Sequence, residues 1–163
     1  MSLLGQLFKK AIAVVAPPWW QITGDAESLF YLTKRSAALS KLNAAKASIK
    51  NTADLAAWYS KSGLKWKSER VDHVSLAWVA IAKGGGDCDD FMSITFEIMN
   101  KKFACRRVIL QSKDGRGHAI VVIREGSTYT LMSNMTRKTG FTTIDAAAKD
   151  FYGTNNTKSI YYI

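Results

Sequence analysis

The chain has too few of several residue types to belong to the classes they define. It carries two Cys and two His in 163 residues. Two Cys can close at most one bridge, which excludes a disulfide scaffold. One structural zinc site would need nearly all four residues, and their spacing fits no finger or ribbon. Proline occurs only as Pro17-Pro18. No run of 18 apolar residues exists, so no transmembrane helix is expected. There is no aromatic RNA-binding consensus and no basic zipper, hence no specific nucleic-acid motif. No linker, internal repeat or low-complexity tract divides the chain. Residues 1–163 therefore read as a single domain, long enough to bury a core.

Hydrophobic residues make up 47% and charged residues 22%, as in ordinary soluble globular proteins. Eighteen aromatics, five of them Trp, argue against global disorder. The net charge is +10, and it is unevenly placed. Residues 1–83 carry twelve bases and five acids (+7), and residues 84–163 carry eleven and eight (+3). Such a surface favours an anionic partner: nucleic acid, acidic lipid or an acidic protein. The alternative is a solvated face that keeps the chain soluble.

Residues 1–20 read as an N-terminal amphipathic helix or arm. Leu3, Leu4, Leu7, Phe8 and Ile12 fall on one side, and the prolines end it. It either packs on its own domain or docks into a protein assembly, with Trp19-Trp20 as an anchor. The apolar run after Lys9-Lys10 is only six residues, shorter than most secretory signals require. A cytoplasmic or particle-associated location is favoured over export. Residues 21–83 read as a helical half, with helices over Asp25–Ile49, from a Thr52 cap to Gly63, and over Val74–Ala82 behind an Asp72 cap. Leu64–Lys67 reads as a connector.

Residues 84–163 change texture. Cys88–Asn100 has helical spacing. Strand-like runs follow at Phe103–Leu110, His118–Arg124 and Thr128–Ser133, then a short helix at Asp145–Phe151 and a closing strand at Ile160–Ile163. Helices first and strands after predict an α+β fold with an antiparallel sheet.

The chemistry-bearing feature is Gly84-Gly85-Gly86-Asp87-Cys88-Asp89-Asp90-Phe91. The glycines allow a tight turn and close approach to a ligand. A Cys at a helix N-terminus gains thiolate character from the unpaired N–H groups and the helix dipole. The flanking aspartates oppose this, so a cation is needed near the sulfur. His118, after the Asp114-Gly115-Arg116-Gly117 turn, is the candidate, since a His beside a Cys can take its proton. His73, in the helical half, has no comparable setting. Cys105, inside an apolar run, reads as a small buried hydrophobe. A hairpin from His118 to Asn134 would bring Ser133 or Asn134 to the imidazole as its orienting group. The two alternate along the chain, so only one can face it.

In the order Trp66, Gly-Gly-Gly-Asp-Cys-Asp-Asp-Phe, Gly-His-Ala-Ile-Val-Val and a strand ending in an amide, residues 64–135 resemble the transglutaminase-like cysteine proteinases of bacteria. These belong to the papain-like and transglutaminase-like superfamily. The resemblance implies a nucleophile helix packed on an antiparallel sheet, with Cys88 as nucleophile, His118 as general base and then acid, and Ser133 or Asn134 third. It places Trp66 near the cleft, and Asp87 beside the nucleophile and the oxyanion site. The family's third residue is Asp. This chain has Met132-Ser133-Asn134, and a Ser133 partner implies weak or absent catalysis. Some members bind calcium near the nucleophile, which would fall on Asp87, Asp89 and Asp90. The other reading of these acids is helix capping.

Two functions follow. One is a thiol-dependent peptide or isopeptide hydrolase that needs no cofactor and acts on a protein or peptide substrate, preferably acidic. The other is a non-catalytic structural or adaptor protein on the same fold, within a larger assembly such as a phage particle.

Overall fold

The computed structural model describes residues 28–68 and 74–163. The expected N-terminal arm, Trp19-Trp20, the start of the first helix at Asp25, the Asp72 cap and His73 all lie outside the described residues. A 3-10 segment, Leu29–Lys34, leads into α1, Arg35–Ser48. Then come α2 (Thr52–Ser62), β1 (Lys65–Trp66), α3 (Ala77–Lys83), β2 (Gly85–Gly86) and α4 (Cys88–Met99). The second half holds β3 (Cys105–Ser112), β4 (Gly117–Glu125), β5 (Thr128–Ser133), β6 (Thr136–Phe141), α5 (Ile144–Asp150) and β7 (Thr157–Tyr162). The fold is α+β: among the described residues it has five α-helices, a two-stranded parallel sheet β1-β2 and an antiparallel five-stranded sheet of order β6-β5-β4-β3-β7.

Strand alternation divides the core between the two faces of this sheet. Ala119, Val121 and Ile123 of β4 join Phe91, Ile94 and Ile98 of α4 and the helices behind it. Ile120 and Val122 face the other way and join Val108, Leu110, Leu131 and the alanines Ala147 and Ala148 of α5. β4 is therefore buried on both sides, which is why it reads as a continuous apolar run. α4 buries eight of its twelve residues, as its apolar spacing requires.

Local signals explain most element boundaries. The residue capping α2 is Asn51, whose Oδ1 accepts from Asp54 N at 2.8 Å. The expected cap, Thr52, is the first helical residue, and its hydroxyl is engaged by the sheet. That hydroxyl donates to Glu125 Oε2 at 2.5 Å and accepts from Arg137 Nε at 2.8 Å, while Thr52 N donates to Glu125 Oε1 at 2.9 Å. Gly63, at φ +74°, ends α2 in the left-handed conformation that glycine adopts without strain.

Other elements differ from expectation: β3 runs from Cys105 to Ser112 rather than Phe103 to Leu110, and β7 from Thr157 to Tyr162 rather than Ile160 to Ile163. The first helix begins as a 3-10 segment and becomes α-helical only at Arg35. α3 starts at Ala77, three residues later than Val74, because Leu76 is in extended conformation. The sequence gives no warning of β6, Thr136–Phe141. It is an edge strand with five exposed positions, so nothing imposes an apolar alternation on it.

Candidate active site

The Leu64–Lys67 connector contains a strand. Lys65 N donates to Gly84 O at 3.0 Å and Lys67 N to Gly86 O at 2.8 Å, so β1 and β2 run parallel immediately before Cys88. This pairing accounts for two of the glycines. A Cβ on Gly85 would lie 1.9 Å from the Lys65 carbonyl oxygen, and one on Gly86 would lie 1.6 Å from Asp90 Oδ2. The close approach that these glycines permit is to the protein's own backbone and to a buried carboxylate. Trp66 pairs with Gly86 and is 55% exposed, so it flanks the turn as an open aromatic surface.

Cys88 is the first residue of α4, half-buried and in no disulfide. Asp87 is the extended N-cap residue, but its side chain makes no capping bond. Its Oδ1 is buried with no hydrogen-bond partner among the described residues. Asp89 and Asp90 are buried in the first turn. Oxygen atoms of the three acids lie within 4.8 Å of one another. Asp90 is committed elsewhere: its Oδ2 is 2.9 Å from Lys83 Nζ, and its Oδ1 accepts from Ser75 N at 3.3 Å. Lys83 Nζ also donates to Ser75 Oγ at 2.9 Å. With side chains 8% and 0% exposed, Lys83 and Asp90 form a buried ion pair that joins α3 to α4.

His118 stands near the start of β4, after the β3–β4 turn. That turn is tied by Arg116 Nε to Asp114 Oδ2 at 2.9 Å and by Arg116 N to Ser112 Oγ at 3.0 Å. The Arg116 pair and the Ser112 hydroxyl hold the Asp114 carboxyl down at about 2. His118 Nε2 lies 2.8 Å from Ser133 Oγ. Of the two candidates for the third position, Ser133 is therefore the one at the imidazole. Asn134 lies in the β5–β6 turn at φ +50°, and its Oδ1 is buried with no hydrogen-bond partner among the described residues. A second contact was not anticipated. The Phe151 ring, just past α5, stacks on the imidazole at 3.8 Å between centroids and 10° between planes. Phe151 in turn meets Tyr152 edge-on at 4.9 Å.

Alternation puts His118 and Ser133 on the α5 side of the sheet, with Ile120 and Leu131, whereas Cys88 packs with the α4-side core. The charge of Asp87, next to Cys88, reaches His118. The charge of Cys88 reaches Tyr152, the neighbour of the ring stacked on His118. Among the described residues, the one side-chain hydrogen bond of the imidazole goes to Ser133 rather than to Cys88.

Burial pushes the His118 pKa down to about 4, and Asp87 only partly offsets this. The imidazole is therefore neutral at neutral pH. The thiol of Cys105 is pushed the other way, up to about 12, by burial and by the Glu125 charge, which makes it an unreactive thiol. No protein-family model matches the chain, and no curated protein matches it.

Proposed function

We propose that the protein is a slow thiol-dependent peptide or isopeptide hydrolase of the papain-like and transglutaminase-like kind, with Cys88 as nucleophile and His118 as base. What supports this reading is Cys88 at the first position of α4, the Asp87 charge beside it that reaches His118, and the Ser133–His118 hydrogen bond. It engages Nε2 and leaves Nδ1 for proton transfer. In the reaction, Cys88 Sγ bonds to the substrate carbonyl carbon and its proton passes to His118 Nδ1. The tetrahedral adduct then breaks its C–N bond, and the imidazolium gives that proton to the departing amine. Water, deprotonated by the same nitrogen, hydrolyses the thioester. Backbone N–H groups at the start of α4 would stabilise the oxyanion, with Trp66 beside them. A neutral imidazole with a serine partner is a weaker base than one paired with a carboxylate, so low turnover is expected. The basic surface favours an acidic substrate. Calcium on Asp87, Asp89 and Asp90 would have to compete with Lys83 for Asp90.

The non-catalytic adaptor is the second reading. It is favoured by the serine at the third position and by the lowered His118 pKa. Alkylation of Cys88 followed against pH by peptide mass, with Cys105 as internal control, separates the two. The hydrolase requires Cys88 to react faster than an ordinary thiol below about pH 8.5, and to lose that advantage in His118→Ala. Equal, slow reaction of Cys88 in both proteins assigns the adaptor.

A further inference from the structure

Phe151 is 38% exposed and belongs to neither core cluster, so packing of the interior does not explain its position. Its ring partners are the imidazole of His118 and the ring of Tyr152. It is the C-cap residue of α5, and Tyr152 beside it packs on the α5-side core, with the Arg116 guanidinium 5.7 Å from its ring. The end of α5 therefore lies against the β3–β4 turn, with Phe151 over His118. A near-parallel stack fixes the plane of an imidazole, and a hydrogen bond at one nitrogen fixes its rotation within the plane.

We propose that Phe151 is a positioning residue for His118, its stacked ring holding the imidazole in the orientation that pairs Nε2 with Ser133 and reserves Nδ1 for proton transfer. The inference deepens the Cys88–His118 reading and rests on it for its catalytic meaning. The titratable groups on the elements around the imidazole are Asp87 before α4, whose charge reaches it, and Tyr152 after α5, which the charge of Cys88 reaches, with the Asp114–Arg116 pair on the adjoining turn. Of these, Asp87 is the one whose charge favours a protonated imidazole. The Phe151 ring acts against it by excluding water from one face.

The test is an NMR titration of His118 in the intact chain, assigned by comparison with His118→Asn, for the wild type, Phe151→Ala and Phe151→Tyr. The wild type is expected to show ring-to-ring contacts between Phe151 and His118, and imidazole nitrogen shifts of a single Nε2–H tautomer. In Phe151→Ala the His118 titration should rise by about one pH unit or more, with both tautomers present, and Phe151→Tyr should restore the wild-type pattern. Unchanged titration and tautomer in Phe151→Ala would overturn the proposal. So would the absence of ring-to-ring contacts in the wild type, a result that needs no variant to fold. The wild-type alkylation profile of Cys88 is read separately. If Cys88 proves indifferent to His118, the hydrolase reading fails while the titration still decides what Phe151 does.

Discussion

His118 Nε2 meets Ser133 Oγ at 2.8 Å, across neighbouring antiparallel strands whose register pairs Val121 with Met132. This register brings the last residue of β5 within reach of the imidazole and leaves Asn134 to make the turn. A hydroxyl at this place orients the ring but adds no negative charge, so nothing on β5 offsets the burial of His118.

Replacing that hydroxyl with a carboxylate is expected to supply the missing charge. Ser133→Asp should move the His118 titration up by one pH unit or more from about 4 and speed alkylation of Cys88 at about pH 6 by roughly tenfold. Ser133→Ala should speed nothing and should mix the imidazole tautomers. Paired NMR titration and alkylation rates give both readings. A Ser133→Asp variant that folds but leaves His118 and Cys88 unchanged would show that the pair is not coupled.

Stability should depend on His118 in a defined window. Its folded pKa of about 4 lies below the ordinary value of 6.5, so the unfolded chain binds the proton more readily. The contribution is intact above pH 6.5 and is lost as pH falls towards 4, reaching about 3 kcal/mol there. Urea unfolding of the wild type and His118→Asn across that range isolates the effect, since carboxylate titrations are common to both. The wild type should lose more stability on acidification than the variant.

The buried Lys83–Asp90 pair should tolerate loss of one partner badly. Asp90→Ala leaves an ammonium in a site that is 8% exposed and is expected to cost about 3–5 kcal/mol. Gly86→Ala should be comparably harmful, because its Cβ would stand 1.6 Å from Asp90 Oδ2. Denaturant midpoints of the two variants and of the double variant measure this. The double variant should fall well short of the sum, since both lesions strike the same carboxylate.

Glu125 fastens α2 to the sheet. Burial raises its pKa, but the hydrogen bonds from Thr52 and Thr130 and the nearby Arg137 outweigh that and leave it lowered. The stability it contributes is present above the ordinary carboxylate pKa and is lost as pH falls through the lowered value. Thr52→Val removes a donor to Glu125 and the acceptor of Arg137 Nε, and should cost roughly 1–3 kcal/mol. Amide exchange in α2 should quicken more than exchange in β4.

The legible elements were those whose pattern is local. The apolar spacing of Phe91, Ile94 and Ile98 gave α4, and the two-sided run of β4 placed Ala119, Val121 and Ile123 opposite Ile120 and Val122, as found. The strand-like run Thr128–Ser133 coincides with β5. β1 and β6 were not legible, because Lys65-Trp66 and Thr136–Phe141 owe their conformation to partners distant in sequence or to an edge that carries no pattern. At the site, Cys88 and His118 were marked by their surroundings in the chain. Lys83 and Phe151 carried no mark, although a lysine seven residues before an aspartate and an aromatic after a short helix are both visible in the sequence.

The sequence by itself determined which residues form helices and the central strands, the excess of positive charge, and the placing of a cysteine at a helix start behind a glycine turn. These follow from periodicity, capping and composition, which act over a few residues. Only the tertiary structure decided that Ser133 rather than Asn134 meets the imidazole, that Phe151 covers it, and that Lys83 neutralises Asp90. Strand register, the end point of α5 and the docking of α3 on α4 set those contacts, and all three arise from packing between segments far apart in the chain.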